Sequence, residues 1–188
     1  MKIDTVLLSL IRVHPNVTGY QLSTIIKEST GHISGIHLSK IYPALKRLTE
    51  CGYLMFQSEP SRGRLDQKYY SITPEGEKAF KELLAAPFEF GPSRSTFDDF
   101  TLKLACMVDV DDAIIIKHLD QGIAHLESEL DAAVARERES SETSFMTAIA
   151  GEQREEALKL WDHVRTQLRD ETEARLAWLV ALRKEYDR

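Results

Sequence analysis

The chain has 188 residues, 24 Lys and Arg against 30 Asp and Glu, a net charge of -6, 43% hydrophobic residues and 29% charged ones. That is enough for one domain with a core, or for a small domain with a helical appendage, in the proportions of an ordinary soluble protein. No stretch approaches the ~20 apolar residues that cross a bilayer, and Cys51 and Cys106 stand far apart in no metal or redox spacing, which excludes a membrane-spanning helix and a disulfide scaffold and fits a reducing compartment.

The opening "MKIDTVLLSLIRVHPN" has one Lys, an early Asp4 and no small-residue cleavage site. Its apolar run from Ile3 to Val13 therefore predicts a buried helix rather than a signal peptide, and a cytoplasmic location is expected. His14-Pro15-Asn16 ends that helix. Thr18, with Gln21 three residues on, predicts a capping box and a short second helix with Leu22, Ile25 and Ile26 inward and Gly31 as its stop. Leu38, Ile41, Leu45 and Leu48 recur at spacings of 3, 4 and 3, so a third helix is expected from about Gly35 to Glu50.

Past Gly52, "YLMFQSE" and "QKYYSIT" read as two strands joined by the hairpin tip "PSRGRLD". Thr73-Pro74 supplies an N-cap and a first-turn proline for a fourth helix carrying Ala79, Phe80, Leu83 and Leu84. "PFEFGPSRS" marks a boundary, giving a first domain over residues 1–88 and a linker over 89–95. Residues 96–188 read as wholly helical: one helix from Thr96 to Val108, one from Asp109–Asp112 to about Glu139, and one from Phe145 or Glu152 to Tyr186. In the last helix Ala157, Trp161, Val164 and Leu168 follow spacings of 4, 3 and 4, and the row resumes with Leu176, Leu179, Leu182 and Tyr186. The expected fold class is mainly α with a small β-wing: a winged helix-turn-helix domain plus a C-terminal helical, coiled-coil-like dimerisation domain.

Charge is unevenly spread. Met1 to Phe88 holds 11 Lys and Arg against 8 Asp and Glu, whereas Glu89 to Arg188 holds 13 against 22. A mildly basic module is thus joined to an acidic remainder, and a polyanion responds to the field of the face it meets rather than to the whole-molecule charge. The third helix turns outward His37, Ser39, Lys40, Pro43, Lys46 and Arg47, with Tyr42 at the flank. These side chains suit phosphates and base edges in a major groove. Thr18 and Tyr20 stand at the second helix's N-terminus, where N-H groups and the dipole favour a phosphate. Arg62 and Arg64 on the hairpin tip, with Lys68 beside it, are the cations that a narrow minor groove attracts. Any one of these features is ordinary; their joint order points to duplex DNA.

"TGYQL", "SKIYPALKRLTECGYL", "KYYSITPEGEKAF" and "DDFTLKL", followed by an acidic helical tail with Trp178-Leu179, resemble the PadR family of bacterial transcriptional regulators in its larger, two-part form. The resemblance implies a homodimer joined through its C-terminal helices (Leu168, Leu176, Trp178, Leu179, Leu182 and Tyr186), bound to a pseudo-palindromic operator. It also implies a ligand-responsive repressor as the first reading. An activator working with a partner regulator, and a winged protein-interaction module without DNA, are the alternatives. The sequence departs from the larger relatives at Ile33 and Ser34, where they tend to carry an aromatic pair, so the effector's identity is not carried over. A small aromatic or phenolic effector is expected against Phe97, Phe100, Leu104, Trp161 and His163, residues that serve equally well as core.

No cofactor, metal or catalytic group is expected. His118 and His125 share a helix face, but seven residues span ~10.5 Å, too far for one ion. No Ser or Cys occupies a glycine elbow and no glycine loop cradles a phosphate, so the protein does not read as an enzyme. Both cysteines read by default as buried, inert thiols, with a redox switch at Cys51 or Cys106 as the alternative.

Overall fold

The computed structural model describes residues 3–30, 38–59, 67–91, 95–139 and 152–187, which divide into two compact units, Met1–Ile115 and Ile116–Arg188. The first holds α1 (Ile3–Val13), β1 (Val17–Thr18), α2 (Gly19–Ile25), α3 (Ile41–Glu50), β2 (Leu54–Glu59), β3 (Gln67–Ile72), α4 (Pro74–Ala85) and α5 (Ser95–Ala105). The sixth helix, α6, runs Asp112–Glu139 and the last, α7, Glu152–Glu185.

The order of helices and strands is the expected one, with three differences. A π-turn, Ile26–Thr30, continues α2, and a 3-10 turn, Leu38–Lys40, leads into α3. Residues 31–37, with Gly31, His37 and the Ile33-Ser34 pair, lie outside the described residues, as do residues 60–66 of the hairpin tip. The wing has three strands rather than two, in the order β1-β3-β2, because Val17 and Thr18 pair antiparallel with Tyr70 and Tyr69. A two-residue strand offers no alternation to read in the sequence. α5 is also shorter than expected, ending at Ala105 in a turn that carries Asp109 at φ 56°.

α1 is apolar nearly all round because it is covered nearly all round: Val6, Leu7, Leu8 and Ile11 are buried, and the helix packs on α4, α3 and β3. The inward row of α3, Ile41, Leu45 and Leu48 with Ala44, closes on it. Thr73 caps α4 by accepting from Gly76 N-H at 3.0 Å, with Pro74 in the first turn. Gly76 has no substitute here, since a Cβ would stand 2.1 Å from the Tyr53 carbonyl oxygen.

Arg12, in the last turn of α1, bonds Glu77 of α4 at 3.2 Å and the Val108 carbonyl at 3.0 Å, with Asp109 at 3.7 Å. Phe100 of α5 is fully buried among Phe88, Phe90 and Phe97, at ring-centroid distances of 5.3, 5.0 and 6.2 Å. Residues 89–91, read from sequence as linker, therefore belong to the packed first unit. Lys103 of α5 is buried and donates to the Ala86 carbonyl; burial lowers its pKa from the usual lysine range.

In the second unit Leu119 and Leu126 of α6 and Leu179 of α7 are buried, and Arg183 bonds Asp120 at 2.8 Å. The first half of α7 is different: Leu160, Trp161, Val164 and Leu168 are all exposed. No helix among the described residues is long and apolar enough to cross a membrane.

Candidate nucleic-acid interface

α3 presents two opposite surfaces. Its inner row is apolar and buried; its outer side carries Tyr42, Pro43, Lys46, Arg47 and Glu50, all exposed, continued by exposed Ser39 and Lys40 in the preceding turn. Pro43 sits at the third position of α3, where its missing N-H removes little from the helix. Tyr42 lies along the flank that meets α2: a Cβ on Gly19 would stand 2.7 Å from its ring. The opposite flank faces α1, and there Arg47 donates from Nη2 to the Asp4 carboxylate. Lys46 and Glu50 form a longer pair along the outer side, at 3.8 Å.

Thr18 caps α2 as expected: its hydroxyl accepts from Gln21 N-H at 3.2 Å and donates to Gln21 Oε1 at 3.0 Å. The hydroxyl is buried and occupied by the cap, whereas Tyr20 in the first turn of α2 is 73% exposed. In the wing, Lys68 Nζ lies 4.2 Å from the Phe56 ring centroid and Phe56 tilts against Tyr70. Burial, and then Tyr42, raise the Tyr70 hydroxyl pKa. Arg62 and Arg64 lie outside the described residues.

Ser39, Lys40, Tyr42, Pro43, Lys46 and Arg47 thus share the outer side of α3, and Tyr20 and Lys68 are exposed on the adjoining elements. Sequence reasoning missed Asp4 as a partner of this surface, because it lies 43 residues from Arg47 and is placed there only by the packing of α1. Of the residues expected around an effector, Phe100 is core, Phe97 and Leu104 are half-buried in the first unit, and Trp161 and His163 are exposed in the second. Among the described residues no three His, Cys, Asp or Glu side chains converge; His118 is buried, and His125 lies 3.6 Å from Glu129.

Cys51 corrects the reading of both cysteines as buried. It is exposed in the turn after α3, outside the helix's inner row, whereas Cys106 is buried, and burial raises its thiol pKa despite a hydrogen bond with Ser9. A native chain is therefore expected to react with one equivalent of a thiol reagent at pH 8, and a denatured one with two, as an absorbance assay would read. Two equivalents reacting at equal rates in the native protein would contradict this placement.

Residues 7–82 match the transcriptional regulator PadR-like family. A curated relative, the negative transcriptional regulator PadR of Bacillus subtilis, is 31% identical over 68 residues, a stretch spanning 36% of this chain and 37% of that protein. Among solved structures, Bacillus subtilis PadR in complex with operator DNA aligns at 19% identity and a TM-score of 0.45, over 98% of this chain and 99% of that one. A transcriptional regulator from Clostridium thermocellum aligns at 32% identity and a TM-score of 0.39, over 43% of this chain and 77% of that one.

Proposed function

We propose, from the match of residues 7–82 to the transcriptional regulator PadR-like family, that this chain is a homodimeric, ligand-responsive repressor that binds a pseudo-palindromic operator. α3 enters the major groove, with Ser39 and Lys40 in the preceding turn and Tyr42, Pro43 and Lys46 on its outer side; His37 precedes them in sequence. Thr18 and Tyr20 set the start of α2 against a phosphate, with Thr18 acting through the helix end that it caps. Arg62, Arg64 and Lys68 follow the wing to the neighbouring minor groove. The observation that carries this reading is the asymmetry of α3: one side fully apolar and buried, the other exposed and rich in cations and hydroxyls.

Pairing of two copies follows from α7, whose exposed Leu160, Trp161, Val164 and Leu168 form an apolar row that a second copy covers. Leu176, Leu182 and Tyr186 are half-buried and Trp178 is exposed, so they extend that row, while Leu179 is already buried within one chain. A two-fold axis then sets two α3 helices one helical turn of DNA apart, ~34 Å. A small aromatic or phenolic effector is proposed to act at the half-buried Phe97 and Leu104 beside the Phe88, Phe90 and Phe100 rings, and to favour a spacing that misses the groove repeat.

Fluorescence anisotropy with the DNA upstream of the gene, against a scrambled duplex of equal length, tests the core of this reading. Lys46→Ala and Arg64→Ala are each expected to reduce the steepness of log K against log salt by about 0.9 per subunit, about 1.8 for the dimer, with the far-UV spectrum unchanged. Equal slopes in both variants remove these residues from the interface; no binding to either duplex at low salt removes DNA.

A further inference from the structure

The cations of α3 are not equally available. Among the described residues no carboxylate pairs with Lys40, at the end where a recognition helix meets base edges. Toward the other end each cation has an acid beside it, but the two pairs differ in kind. Lys46 and Glu50 belong to the same helix, lie 3.8 Å apart, and have side chains 78% and 64% exposed. A solvated pair of that sort yields to a phosphate at little cost.

Arg47 is bonded across elements to Asp4, whose side chain is only 22% exposed. Asp4 stands in the first turn of α1, and α1 is fixed by the buried Val6, Leu7, Leu8 and Ile11, so the backbone that carries its carboxylate is held in place as a loop would not be. A phosphate that reached Arg47 would meet the Asp4 charge beside it. The gain from neutralising that phosphate would then be largely offset by like-charge repulsion.

We propose that Asp4 is a positioning residue that withholds Arg47 from the DNA backbone, so that α3 neutralises one phosphate fewer than its Lys and Arg content implies. The inference rests on the DNA-binding reading above. Its physical effect is on sequence-independent affinity and its salt dependence, because phosphate contacts carry no base information.

A scrambled duplex is the appropriate probe, titrated between 50 and 200 mM salt with the full-length protein. Asp4→Asn frees Arg47 in both subunits, and the salt slope of the dimer is expected to steepen by about 1.8, about 0.9 per subunit, so that its gain in affinity is about 12-fold larger at 50 mM than at 200 mM. Arg47→Gln alone is expected to leave slope and affinity within about twofold of the starting protein, since the guanidinium contributes little there. The double variant Asp4→Asn with Arg47→Gln is expected to return to the original slope, which separates action through Arg47 from removal of a negative charge.

An unchanged slope in Asp4→Asn overturns the proposal, as does a steeper slope that persists in the double variant. A fall of about 0.9 per subunit, about 1.8 for the dimer, in Arg47→Gln alone also overturns it, because Arg47 would then already be on a phosphate. Should Asp4→Asn fail to fold by circular dichroism, Arg47→Gln decides by itself, on the same two outcomes. Absence of any binding by the unsubstituted protein ends the DNA-binding reading and the inference together, whereas failure in the variants alone ends only the inference.

Discussion

Trp161→Glu combined with Val164→Glu is expected to turn the protein into a folded monomer and to lower its affinity for the upstream DNA by about 100-fold or more. Both side chains lie on the exposed apolar row of α7, at 47% and 46% exposure, so the substitutions remove nothing from the interior of the second unit. Across a two-fold interface every substitution appears twice, and burying one large apolar side chain contributes ~1.5–3 kcal/mol. Two added carboxylates per copy therefore cancel several such contributions and bring like charges together. The DNA effect follows from linkage of two binding modules, which commonly raises affinity by about 10²–10⁴ over one module. Sedimentation reads the first outcome and anisotropy the second. A dimer that survives both substitutions would place the contact between copies elsewhere.

Phe100→Ala is expected to destabilise the first unit by about 3–5 kcal/mol, as loss of a buried phenyl group does when its surroundings cannot close over the cavity. Phe100 has no exposure and is the ring on which Phe88, Phe90 and Phe97 converge, so the segment after α4 loses its anchor as well as its contact. Thermal unfolding should show a fall of about 10 °C or more. Phe100→Leu retains most of the volume and should fall markedly less. Equal stability of Phe100→Ala and the parent would mean that this cluster is peripheral. For the proposed effector, a residue this buried would form the floor of its site and not its mouth.

Capping and periodicity were the most legible features of the sequence. Thr18 with Gln21, and Thr73 with Pro74, are local signals, and both caps form as the residue types require. The rows Ile41-Leu45-Leu48 and Trp161-Val164-Leu168 were equally visible, but the sequence could not tell that the first is buried and the second exposed in a single chain. A helical row reports that a face is apolar, and only tertiary packing decides what covers it.

Contacts between distant elements were not legible. Arg47 was placed on the outer side of α3, yet its bond to Asp4 depends on where α1 begins. Residues 89–91 read as linker because the stretch from Pro87 to Ser95 is rich in Pro, Gly and Ser, while Phe90 packs against Phe100 of α5. Cys51 looked buried because cysteine usually is, but it falls one residue past the last turn of α3.

The short strand β1 has a mechanical meaning. Its two residues are at once the partners of Tyr70 and Tyr69 in the sheet and the lead-in to α2, with Thr18 as the cap. The hairpin is thus riveted to the helices instead of hinged from them. A rigid stamp of this kind demands correct phasing of what it is pressed against. Inserting one base pair between the groove segments that it touches would rotate one of them by about 35° and shift it by about 3.4 Å, and there is no joint at β1 to absorb the change.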